Sequence, residues 1–185
     1  MSKRCVAILA LVATGLIGVG IAGCETGPHV DKQIRDALSP ACGKQGVEQA
    51  AAYTEGPGPH PIVLLDASGG RHSWTDKVPI EWWPASVDAT ELVACVGAEE
   101  TFVEEVCQYF GPGGVSRYRY MLRIWLVEAR TGKTLADSRL SGSVPPECPG
   151  AIKSGQYGLL EGSHVSFDQA RAWLEPHVLA GRQQE

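Results

Sequence analysis

The chain has no excess of positive charge: its 16 lysines and arginines are outnumbered by 21 acids, for a formal net charge of -5. The basic residues are spread along the chain, which excludes nucleic acid as an expected partner and leaves no electrostatic hold on anionic lipid. The sequence also lacks the local signatures of assembled chemistry. The Gly69-Gly70 pair is followed by neither Lys-Ser/Thr nor a helix pattern, so it reads as a turn rather than a phosphate loop. No Gly-x-Ser-x-Gly elbow is present. No two cysteines stand at zinc-knuckle spacing, and no histidine lies at ligand spacing beside them. No catalytic residue, metal ligand or cofactor is therefore expected.

Charge is also missing from Cys5 to Ala22, directly after Lys3 and Arg4. A short basic start followed by an apolar run is the profile of a secretory signal peptide. The run ends in Ile21-Ala22-Gly23-Cys24, which resembles the bacterial lipobox. That resemblance implies cleavage before Cys24, modification of its thiol by diacylglycerol and a palmitate-type chain, and a protein held by lipid at the outer face of a membrane. The competing reading is an uncleaved anchor helix, since the run approaches the roughly 20 residues of a membrane span. Glycines 15, 18 and 20 weaken it as a permanent helix. The expected organisation is a signal peptide over 1–23, a tether over 24–29, one extracytoplasmic domain over 30–180, and a disordered tail over 181–185. The part after cleavage has about 160 residues, enough for one domain with a core.

Cys42, Cys95, Cys107 and Cys148 then remain besides the lipidated cysteine. Four thiols in an oxidising compartment point to disulfides, with three connectivities open; buried free thiols or a metal site are the alternatives.

Val30, Ile34 and Leu38 recur at helical spacing, with Asp31 in the first turn and Ser39-Pro40 as a stop. Gly56 to Pro61 is too rich in proline for helix or central strand. Ile62 to Leu65 reads as a strand entering a turn, with Arg71 to Thr75 returning. Leu92–Val96, Phe102–Phe110, Val115–Ala129 and Thr134–Leu140 read as strands joined by short turns, which favour antiparallel neighbours. Ser166 and Gln169 form a capping-box pattern for a last helix that Pro176 ends. The expected fold is α+β: an antiparallel sheet of about four to six strands, with an N-terminal and a C-terminal helix covering one of its faces.

Two surface features are candidates for binding. Trp82-Trp83 could stack on a sugar or dip into lipid headgroups, although capping a core is the simpler reading. Arg117, Arg119 and Arg123 share one face of the third strand-like run. They could hold an anionic ligand, or pair across strands with acids such as Glu104 and Glu105. The thin case for an enzyme rests on His72, Asp76 and a nearby serine, Ser68 or Ser73, as the parts of a hydrolase triad.

The stretch from His60 to the C-terminus resembles a family of uncharacterised bacterial extracytoplasmic proteins. The residues that carry this are His60-Pro61 through Leu64-Leu65-Asp66, Trp82 and Pro84, Glu91 to Val96, Cys107-x-Tyr109, Arg117 to Tyr120, Ala129-x-Thr131-Gly132-Lys133, Cys148-Pro149 and Trp173-Leu174. It implies a domain boundary and no activity. The hairpin from Leu126 to Leu135 is similar to one in envelope-assembly lipoproteins of the curli-secretion and penicillin-binding-protein-activator type. The sequence therefore reads as a non-catalytic envelope lipoprotein, facing the periplasm or cell exterior, that binds an envelope protein or a small ligand. A lipid-anchored hydrolase is the alternative.

Overall fold

A computed structural model describes residues 30–179. The expected signal peptide, the lipidated Cys24, the tether and the tail lie outside the described residues.

Five strands form one sheet. β1 (Ile62–Asp66), β2 (Leu92–Cys107), β3 (Gly114–Glu128) and β4 (Thr134–Ser141) stand side by side in that order, and β5 (Tyr157–Glu161) pairs with β3 beyond the end of β4. The sheet is mixed, not antiparallel as expected. β2–β3 and β3–β4 are antiparallel, but β1 runs parallel to β2 and β5 parallel to β3. The physical reason is connection length. Short turns enforce antiparallel pairing, whereas the long segments before β2 and β5 carry the chain back to start a parallel strand.

The two helices, α1 (Lys32–Cys42) and α2 (Phe167–Val178), cover opposite faces rather than one. Ile62 and Leu64 pack with Ile124, Leu126, Trp82 and with Ala170 and Leu174 of α2. Val63 and Leu65, one residue along, pack instead with Ile34 and Leu38 of α1. Successive strand residues point to opposite faces, so the unbroken apolar run of β1 is the pattern of a strand buried on both sides. Each such fully buried aliphatic side chain contributes about 1.5–3 kcal/mol relative to exposure.

Both helices outrun their expected proline stops. Asp31 caps α1 by accepting the Gln33 amide at 2.8 Å, and Pro40 lies inside the helix. The Ser166–Gln169 capping box opens α2, and Pro176 lies inside it. Near a C-terminus proline keeps a helical φ and removes only its own donor, so the last turn survives.

β2 is one strand where two were expected. The Gly97 to Glu100 segment is a bulge, seen as a register shift between Val96 and Glu99, and not a turn. The first five residues of β2 are buried beside β1, whereas Ala98 to Val106 are exposed and paired with β3 alone among the strands. The expected return strand from Arg71 to Thr75 is only a single bridge, Leu65 to Arg71, before a 3-10 turn. Among the described residues there are two disulfides, Cys42–Cys95 and Cys107–Cys148. The first ties α1 to the buried half of β2; the second ties the far end of β2 to the proline-rich segment that leads toward β5.

Candidate functional site

The odd-numbered residues of β3 share the α1 face of the sheet, and each end of that row is covered differently. Trp125 and Val127 lie in the cluster under α1. At the other end Arg117 lies beneath the Pro145–Pro149 segment, which forms a strap. Its Nε donates to the Pro146 carbonyl at 2.7 Å and an Nη donates to the Pro145 carbonyl at 2.8 Å, while it also pairs with Glu105. The Tyr109 hydroxyl donates to Pro149 O at 2.8 Å, beside the Cys107–Cys148 bond.

On the same face, residues of β2, β3 and β4 line a groove of about 590 Å³. That is the size range of small-molecule sites. Met121 and Phe102 supply apolar surface, and Trp125 is a third lining residue. Phe102 is 58% exposed although it is a large apolar side chain, whereas Trp125 is 9% exposed. Arg123 and Arg139 occupy directly opposed positions on β3 and β4, and Glu100 lies opposite Met121 on β2.

The charges of this groove are unevenly committed. Arg123 donates through Nε to both Asp137 carboxylate oxygens, at 3.1 and 3.0 Å, and through an Nη to one of them. These hydrogen bonds hold the Asp137 carboxyl below its ordinary range and the guanidinium above its own. The same guanidinium lies 5.3 Å from the Trp125 ring centroid, a cation–π contact. Arg139 and Glu100 have no ion pair among the described residues. The Trp125 indole N–H also finds no acceptor there.

The arginine row is thus split. Arg117 pairs with Glu105, Arg119 with Glu104 at 3.0 Å, and Arg123 with Asp137. Cross-strand pairing is realised at all three, and Arg123 alone of them lines the groove. The tryptophan pair is not an open aromatic surface. Trp82 is 2% exposed in the α2-side core, and half-buried Trp83 donates its indole N–H to the Val78 carbonyl at 2.9 Å.

Three of the residues considered for a hydrolase, His72, Asp76 and Ser68, serve other partners. His72 Nδ1 accepts the Trp74 amide at 3.2 Å, Asp76 grips Arg71, and Ser68 donates to Asp66 at 2.5 Å. A different imidazole–carboxylate pair, His164 Nδ1 to Glu99 at 2.5 Å, lies on the opposite face with the His164 ring stacked 4.1 Å from Tyr120. No serine or cysteine is hydrogen-bonded to it among the described residues. A second hollow of about 500 Å³ on that face is lined by Val106, Ser116, Tyr157, Leu159 and three glycines, with no charged group.

Phe102, Met121, Glu100 and Arg139 were not legible as site residues. The Gly97 bulge resets the alternation of β2, so counting parity from its buried half assigns Phe102 and Glu100 to the wrong face. Comparison with known protein families, with curated proteins and with solved structures found no match.

Proposed function

We propose that this chain is a lipid-anchored extracytoplasmic binding protein without a reaction centre of its own, captured at the membrane through Cys24 and presenting the α1-side groove to its partner or ligand. The observation that supports a binding role is the groove. It is an apolar, arginine-rimmed gap on a sheet that is buried on both faces nearby and stapled by two disulfides. A site on rigid strands keeps its geometry without the ordering cost that a mobile loop would incur. The anchor is supported by the lipobox-like ending of the N-terminal apolar run, and none of the described helices is long and apolar enough to cross a membrane. A short tether keeps the body close to the bilayer.

The test is photocrosslinking in living cells, using the tagged full chain with p-benzoylphenylalanine in place of Phe102. The same residue in place of Phe110, which is fully exposed in the β2–β3 turn, is the control. A partner or small-molecule adduct on the Phe102 peptide, absent at Phe110 and diminished by Cys24→Ala, supports the reading. Identical adducts at both positions, or none at an abundant bait, count against it.

A further inference from the structure

We infer that the groove takes a small molecule with one carboxylate head and an aromatic or aliphatic body; this rests on the binding role proposed above and names its ligand chemistry. At the β4 side Asp137 is held by Arg123 and also feels the charges of Lys44 and Arg139, so three cations act on one carboxylate. The local surplus is therefore positive, and one uncommitted member of it lines the groove. It is the Arg139 guanidinium, a planar fork with no ion pair among the described residues, and such forks match carboxylates bidentately. Trp125, which also lines the groove, has a buried indole N–H with no acceptor among the described residues, and a buried donor without a partner is costly. The Arg139 guanidinium and the Trp125 indole N–H are both donors, so a ligand that partners them must accept.

The other end selects against a second anion. Glu100 has no ion pair among the described residues, and from two strand spacings and two residue rises its Cα lies roughly 12 Å from that of Arg139. Met121 lies between the two, and the exposed Phe102, opposite Arg119, lies beyond Glu100; both offer only apolar contact. A ligand with charges at both ends would meet Glu100. The groove's volume of about 590 Å³ suits a fused-ring acid or a medium-length aliphatic one.

The probe is 2-naphthoate, compared with 2-naphthylmethanol and 2-naphthylmethylamine by equilibrium dialysis. The full chain is held in phosphatidylcholine nanodiscs, and empty nanodiscs measure partition into lipid. Saturable naphthoate binding, at least about tenfold tighter than the alcohol, is expected, since one charge-assisted hydrogen bond is worth that factor or more. The amine should not saturate. Arg139→Gln should weaken naphthoate about tenfold and leave the alcohol unchanged; Trp125→Phe should weaken naphthoate while keeping the ring. An unchanged melting temperature shows that either variant is folded. Naphthoate bound no better than the alcohol, or indifferent to Arg139→Gln, overturns the inference. If naphthoate fails while a groove-specific crosslink at position 102 persists, the carboxylate assignment falls and the binding role stands; if both fail, both fall.

Discussion

Cys95 stands directly across the β2–β3 ladder from Trp125, and on the α1 face it is bonded to Cys42. The bond that fixes α1 to the sheet therefore lies next to the wall of the groove. Its sequence separation is 53 residues, for which loop-closure entropy gives about 4 kcal/mol of stabilisation. The double variant Cys42→Ala, Cys95→Ala should lose about that much in urea unfolding and shift Trp125 emission. Both cysteines are buried, whereas Cys148 of the other bond is partly exposed. Mild reductant on the native protein should therefore open Cys107–Cys148 first, as seen by mass spectrometry after alkylation.

Much of this architecture is legible from residue patterns. The alternating arginines and apolar residues of β3 describe its two faces, and the Ser166–Gln169 box marks the start of α2. β5 is not legible, because Tyr157 to Glu161 is short and largely exposed, and its pairing to β3 depends on the strap that precedes it. The opposite placement of the helices is implicit in the unbroken Ile62–Leu65 run, but only once the strand is known to be parallel. The groove is hidden for a further reason. It is lined by residues of β2, β3 and β4 that are distant in sequence and meet only once the strands are in register.

Trp82 separates a structural role from a binding one. Its side chain is 2% exposed, packed in the α2-side core, with the Arg171 guanidinium 6.0 Å from the ring. Trp82→Ala should cost about 3–5 kcal/mol, while Trp83→Ala, at a half-buried position, should cost less. Chemical denaturation of the two variants checks the order. Equal costs, or a stable Trp82→Ala protein, would sink this assignment.

Arg117 holds the strap from below. Replacing it by Gln leaves Glu105 and the carbonyls of Pro145 and Pro146 without its guanidinium. The pair with Glu105 is partly solvent-screened, so the global cost should be modest, about 1 kcal/mol. The local effect should be larger. Hydrogen exchange should accelerate from Glu147 to Gly150 and at the neighbouring ends of β2 and β3, with the β1–β2 core unchanged. Uniform acceleration across the sheet would instead make Arg117 part of the global fold.

The pH dependence of stability should have two steps. Burial lowers the pKa of His72 and of His177 from the ordinary 6.5. An imidazole that is harder to protonate when folded lets the unfolded chain take up the proton first, so stability must fall as pH drops from about 7 through the ordinary histidine range. It levels off once both states are protonated. A second loss belongs to the carboxylates. Hydrogen bonds from Ser68 lower Asp66 and those from Arg123 lower Asp137, both from 3.8. Their contribution is present above about pH 4 and disappears as pH falls through the lowered folded values. Urea midpoints measured from pH 8 to 3 at constant ionic strength should show both declines. The double variant His72→Gln, His177→Gln should flatten the first and leave the second, because neither aspartate depends on an imidazole for its largest shift. A midpoint constant between pH 7 and 5, or a first decline that survives in the double variant, would show that these two rings are as easily protonated in the folded protein as in water.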